Sequence, residues 1–344
     1  MMRIAWLRRL AFAGLLLAFC VVVFGAYVRL TNAGLGCPDW PGCYGHVTPA
    51  GAAAADAGTA QQPLHVGKAW REMIHRYGAS TLGLIILVIA FLSLRWRRHS
   101  PISVALPLAL VALVIFQGLL GMWTVTLLLK PLVVTAHLAF GLATLSVLWW
   151  FWTSLQRATG NWPGRGEAVR SYLAGALMRP APQRLRGLCA FALVILVVQI
   201  LLGGWTSTNY AAVACPDFPQ CQGSWWPDAD YRDAFVIWRG LGINYEGGVL
   251  DHPARVAIHF THRLGAVIAA LSLLLTAILT LLRRYDLPSR RAAWAVLAAL
   301  VLQLCLGTFM VLKGFPLQLA TAHNAGAAVL LLSTLALYRG LRRV

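Results

Sequence analysis

The chain is written as long apolar runs separated by short polar intervals. Stretches rich in Leu, Val, Ala, Ile and Phe fall near 10–29, 69–94, 102–126, 132–155, 186–206, 254–282, 292–312 and 317–338. A helix rising ~1.5 Å per residue needs about 20 residues to cross a hydrocarbon core of ~30 Å. Each run therefore predicts one spanning helix, the conformation that satisfies every backbone group within its own segment in lipid. The pattern predicts an all-α polytopic membrane protein with eight transmembrane helices.

Composition and charge sharpen this reading. Of 344 residues 59% are hydrophobic and only 12% charged, against roughly 25% charged in a soluble domain, which excludes a soluble globular enzyme. A net charge of +18 would by itself suggest a nucleic-acid partner, but the positions of the charges argue otherwise. Of the 29 Lys and Arg, 19 lie on one side of the predicted helices, among them Arg8, Arg97, Arg165, Arg290 and Arg343. The positive-inside rule then places both termini and the 156–185 interval in the cytoplasm. The charge is topological, and lipid rather than nucleic acid is the partner it implies. The first run exceeds the 7 to 15 residues of a signal-peptide core and lacks a small-x-small cleavage site. It reads as the first helix of a multi-pass protein of the bacterial inner membrane.

The sequence repeats itself. Cys37-Pro-Asp-Trp-Pro-Gly-Cys43 recurs as Cys215-Pro-Asp-Phe-Pro-Gln-Cys221, offset by 178, and His75-Arg-Tyr-Gly-Ala79 recurs as His262-Arg-Leu-Gly-Ala266, offset by 187. Thr135-Ala-His137 recurs as Thr321-Ala-His323, and Gln117 and Gly121 match Gln303 and Gly307, all at 186. The expected organisation is two tandem, pseudo-symmetric four-helix bundles, 1–155 and 186–344, joined by a cytoplasmic linker at 156–185.

Cys20, Cys189 and Cys305 fall inside predicted helices, where a reduced cysteine behaves as a small hydrophobe. Cys37 with Cys43 and Cys215 with Cys221 lie in the two long outer loops, where an oxidising compartment lets disulfides persist. Two short bridges are expected; a redox-active role is the alternative.

In each repeat one histidine lies about two turns inside the second helix and another about two turns inside the fourth. At ~1.5 Å per residue they sit roughly 9 Å below the outer helix ends. Second and fourth helices are diagonal partners in an up-down bundle, so His75 can face His137 and His262 can face His323. Haem iron accepts two axial imidazoles, and bundle cores are where facing side chains build cofactor sites. A lone histidine is more often a hydrogen-bonded core residue, but four at matched positions favour ligation. Zinc fits less well, because two donors at one depth leave a structural site incomplete. His46, His65, His99 and His252 read as loop or helix-end residues.

Glu72 precedes His75 by three residues and shares its helix face. A carboxylate at membrane depth marks function by default; the bland reading is an ion pair with Arg71, Arg76 or Arg29. Its repeat counterpart is His259, so the halves differ chemically beside the iron ligand. Arg29, Arg76, Arg255 and Arg263 gather at the outer helix ends, where haem propionates would need bidentate donors and where snorkelling explains them almost as well. Gly25, Gly78, Gly121, Gly203, Gly204, Gly265 and Gly307 read as packing positions that let helices or a porphyrin approach closely.

The run from Gly25 to Cys43, GAYVRLTNAGLGCPDWPGC, with Glu72-Met-Ile-His-Arg76, Thr261-His-Arg263 and Ala322-His-Asn324, resembles the CtaA and COX15 family of haem A synthases over essentially the whole chain. The resemblance implies oxidation of the C8 methyl of haem O to a formyl group by two hydroxylations and loss of water, with water as oxygen source, for terminal oxidases. It implies haem b as cofactor, with His262 and His323 as its axial ligands, and haem O as substrate on His75 and His137. Glu72 matches the family's important glutamate. Members lacking the cysteine pairs exist, which argues against an obligatory cysteine step. A haem O synthase (protohaem farnesyltransferase) and an unidentified electron acceptor are the implied partners, and a homo-oligomer is compatible. The competing classes are a di-haem b-type electron carrier and a haem carrier or chaperone.

Overall fold

A computed structural model describes residues 2–59, 63–97, 103–158, 182–283 and 287–342. Among these, eight helices are long and apolar enough to cross a membrane: α1 (Met2–Leu30), α2 (Val66–Arg95), α3 (Ala105–Thr126), α4 (Pro131–Ala158), α5 (Gln183–Thr208), α6 (His252–Leu282), α7 (Leu287–Leu312) and α8 (Leu317–Leu341). The described residues contain no strand. Several helices begin before the apolar runs that predicted them: α1 at Met2, α2 at Val66 and α7 at Leu287. Helical hydrogen bonding is local and continues past the apolar segment into the interfacial zone, where long basic side chains remain hydrated. The short helix Pro49–Ala54, in the loop between α1 and α2, was not predicted; the side chain of Thr48 caps it by accepting from the Gly51 amide. Most of the 156–185 linker, and His99, lie outside the described residues.

α1 and α3 each pack on both α2 and α4, leaving α2 and α4 diagonal to one another; α5 and α7 stand in the same relation to α6 and α8. The two sets meet along α1 with α8 and α4 with α5. One buried apolar cluster runs through both sets and includes Leu7, Ile89, Leu110, Leu148, Leu273 and Leu337. These residues sit toward the ends of the helices where the chain termini lie, so that end is packed shut. Arg339 on α8 fastens it to α4. Its guanidinium lies over the Trp150 ring and donates to Trp150 O at 2.9 Å and Ser154 Oγ at 2.7 Å.

At the opposite end the connections are tight and partly left-handed. Leu128 (φ 51°) and Leu129 (φ 61°) turn α3 into α4, and Gly314 (φ 71°) and Phe315 (φ 61°) turn α7 into α8. A left-handed conformation costs a non-glycine residue roughly 1–2 kcal/mol. Burial of Leu129 and the Tyr245 amide donating to Leu128 O at 3.0 Å offset that cost. Lys130, only 2% exposed, donates from Nζ to Arg239 O at 2.5 Å and Gly240 O at 2.6 Å and lies 3.5 Å from the centre of the Trp238 ring. Lys68 pairs with Glu246 at 3.6 Å. The loop between α5 and α6 is thereby strapped over the first four helices.

Candidate functional site

The two cysteine-bearing loops frame the site. Cys37–Cys43 and Cys215–Cys221 are disulfide-bonded, as expected, while Cys20, Cys189 and Cys305 are free. Each loop folds around an aspartate. Asp39 accepts from the amides of Tyr44 (2.6 Å) and Gly45 (2.9 Å), and Asp217 from those of Gln222 and Gly223, both at 2.8 Å. The Gly223 and Gln222 amides hold the Asp217 carboxyl below the usual carboxylate range.

Arg76 and Arg263, expected to face propionates, clamp these loops to the helices below. Arg76 Nη1 donates to Asp39 O at 2.9 Å and Gly42 O at 2.5 Å. Arg263 donates to Gln220 O at 2.7 Å and Cys215 O at 2.8 Å. Arg29 donates to Ser207 O at 2.5 Å and stacks on Tyr210, 4.1 Å from its ring centre.

Beneath the first loop lies a cavity of about 670 Å³ whose walls include His75, His137, Glu72, Arg29 and Arg76. The rings of His75 and His137 face each other across the diagonal with centroids 6.4 Å apart and planes at 69°. The second pair, His262 and His323, lies on α6 and α8 within electrostatic reach of one another. Each of the four rings is backed by a glycine on a neighbouring helix. A Cβ on Gly25 would stand 2.8 Å from His75 Cε1, on Gly121 3.6 Å from His137 Cε1, on Gly203 3.1 Å from His262 Cε1, and on Gly307 3.0 Å from His323 Cε1. The glycines thus make room for imidazoles. Nδ1 of His75, His137 and His323 is buried without a hydrogen-bond partner. Buried polar atoms are almost always paired, and an unpaired ring nitrogen calls for a ligand.

Glu72 is buried on the cavity wall. Of the three arginines considered for it, Arg76 is the partner, at 2.6 Å, and its other oxygen accepts from the Cys37 amide at 2.9 Å. His259, its counterpart, is also buried, with Nε2 3.3 Å from Arg263 Nε. Sequence reasoning missed Gln199, whose amide lies 3.0 Å from His262 Nδ1, and gave no role to Gln303, 3.2 Å from His323 Nε2, or to Gln117, which donates to His137 O at 3.0 Å. It also missed that Gly204, Ser207, Thr208 and Asn324, all from the second four helices, wall the first cavity. The repeat of Gln117 as Gln303, one residue type at matched depth beside a histidine, was the available signal.

The family described as cytochrome oxidase assembly protein, COX15-CtaA, matches residues 8–335. A heme A synthase of Shewanella oneidensis is 41% identical over 338 residues, 96% of this chain and 94% of its own. Heme A synthases of Sphingopyxis alaskensis and Halalkalibacterium halodurans are each 28% identical, over 98% and 90% of this chain and 92% and 88% of theirs.

Proposed function

Because the chain belongs to the COX15-CtaA family of cytochrome oxidase assembly proteins, we propose that it is a haem A synthase, a membrane oxidoreductase that converts haem O to haem A. The observation that carries this reading is the facing pair His75 and His137, 6.4 Å apart in a cavity of about 670 Å³ that also holds a buried carboxylate. Residues 1–155 take the substrate, and residues 186–344 hold haem b.

The donor set fits two such groups. Four half-buried imidazoles in two pairs, three of them with a buried, unpaired Nδ1 and all backed by glycines, are suited to iron-porphyrin ligands. His262 and His323 would hold haem b, which would supply a one-electron acceptor. His75 and His137 fix the substrate iron, which sets the depth of the ring methyl in the cavity. Glu72 accepts from Arg76 on one oxygen and from the Cys37 amide on the other, and an ionised carboxylate has about four lone-pair sites in all. It therefore acts as proton acceptor for a water attacking the methyl carbon as electrons leave. Arg29 and Arg76 line the same cavity and set positive charge opposite the substrate carboxylates, and Arg263 does so at the second pair. The electrons pass on to an external acceptor, a haem O synthase supplies the substrate, and the termini face the cytoplasm with both sites toward the outer side.

Pigments extracted after co-expression with a haem O synthase test the reading. Haem A in the extract is the expected result. Two retained haems without haem A would instead identify a di-haem electron carrier, and haem O bound but unchanged a carrier protein.

A further inference from the structure

The two histidine pairs are not held alike. At the second pair a side-chain amide reaches each ring: Gln199 Nε2 lies 3.0 Å from His262 Nδ1 and also donates to His262 O at 2.9 Å, and Gln303 Nε2 lies 3.2 Å from His323 Nε2. At the first pair no amide does so. Gln117 spends its Nε2 on the backbone oxygen of His137. Position 21, which the 178-residue offset aligns with Gln199, is Val, so His75 meets there only a backbone carbonyl that any residue would supply.

The packing behind these positions corresponds as well. A Cβ on Gly265 would collide with Gln199 Oε1, and one on Gly326 with Gln303 Oε1. Gly78, which the 187-residue offset aligns with Gly265, faces Val21 instead, its Cβ falling 3.2 Å from Val21 Cγ2. The Gly265 niche recurs at Gly78, where Val21 stands in place of the amide; the Gln303 amide has a counterpart in Gln117, whose Nε2 lies 2.9 Å from where a Cβ on Gly141 would stand, so the halves differ at the Gln199 niche. Oε1 of Gln199 and of Gln303 is buried without a partner.

An imidazole that gives one nitrogen to a metal carries its proton on the other, and an acceptor there fixes the ring and raises its basicity. The unpaired amide oxygens are such acceptors: at Gln303 a half-turn of the amide presents one, and at Gln199 the same half-turn exchanges the bond to His262 O for one from the ring N–H. We propose that Gln199 and Gln303 fasten His262 and His323 for a resident haem, and that Val21 withholds this fastening from His75 so that haem at the first pair can enter and leave. The inference rests on the proposed division between substrate and cofactor sites. It deepens that division by naming the residues that make one site retentive and the other exchangeable.

The test uses the full chain purified from a host that makes haem b and haem O. Gln199→Met keeps the side-chain shape and removes the amide, and Gln199→Glu keeps an acceptor oxygen. Loss of an outer partner typically weakens metal binding about 10- to 100-fold, so Gln199→Met should release haem b roughly 10 to 100 times faster than wild type while Gln199→Glu retains it. The Gln199→Met midpoint potential should also rise, by about 59 mV for each tenfold loss of ferric over ferrous preference. Val21→Gln should retain haem at the first pair through purification, raising the haem content per chain. Unchanged haem release and potential in Gln199→Met, or unchanged haem content in Val21→Gln, would overturn the inference. Retention and potential are read without turnover. If wild type makes no haem A but the variants behave as stated, the proposed reaction fails and the fastening stands.

Discussion

The four glycines behind the histidines allow a graded test, because their clearances differ while their chemistry does not. Replacing glycine by alanine inside a helix gains about 1 kcal/mol from propensity alone, and overpacking a filled interior costs roughly 1–3 kcal/mol. Which term wins depends on the space available. At Gly121 the new methyl would lie 3.6 Å from His137 Cε1, within the ~3.5–4.0 Å of an ordinary carbon contact, so Gly121→Ala should be neutral or stabilise by up to about 1 kcal/mol. At Gly25 the distance to His75 Cε1 is 2.8 Å, and reaching ordinary contact requires the ring or the helix to retreat by roughly 1 Å. Gly25→Ala should therefore lose up to about 2 kcal/mol net and misplace the imidazole. Gly307 and Gly203, at 3.0 and 3.1 Å, should fall between. Thermal unfolding of the four variants in one detergent reads stability, and haem content after purification reads ring position. The expected order of damage is Gly25, Gly307, Gly203, Gly121. Gly121→Ala losing as much stability and pigment as Gly25→Ala would refute the idea that these glycines are kept for clearance against the rings.

At the carboxylate, Glu72→Gln turns an amide NH₂ toward either Arg76 or the Cys37 N–H, losing a charge-assisted bond of about 1.5–3 kcal/mol, and should slow haem A formation roughly 10²- to 10⁴-fold at equal haem O occupancy; haem A accumulating at the wild-type rate would leave Glu72 as a loop latch only. His262→Ala or His323→Ala should purify without haem b, whereas His75→Ala or His137→Ala should keep it and make no haem A, as pigment extraction will read; the opposite pattern would exchange the roles of the halves. The Asp217 carboxyl is held low, so its contribution to loop stability is present above its unfolded value of ~3.9 and lost as pH falls through the folded value. Asp217→Asn should flatten the acid limb of loop protection, measured by limited proteolysis against pH, and an unchanged limb would assign it to another group.

The eight helices were legible because hydropathy decides the matter in a membrane: a run such as Ala105–Thr126 has no alternative conformation that satisfies its backbone in lipid. The histidine pairs were legible because the sequence states them twice. Partners supplied by backbone atoms were not. The Cys37 N–H that Glu72 accepts lies 35 residues away and has no side-chain signature, and nothing in the run around Arg76 says that its acceptors are carbonyls of the CPDWPGC loop. Lys130 drew no reading from the sequence, because its burial beside Trp238 depends on a loop more than a hundred residues distant. The glycines were recognised as positions of close approach, but only the fold shows that imidazoles are what approaches.

The wall that the second four helices lend to the first cavity has a consequence for dissection. Gly204, Ser207, Thr208 and Asn324 stand at the repeat positions of Ala26, Arg29, Leu30 and Leu138, which line the same cavity, so matched positions of both halves enclose one space. A mutation in the second four helices can therefore reshape the pocket of the first. Transplanting the first bundle alone into another scaffold would carry its histidines across and leave part of their enclosure behind.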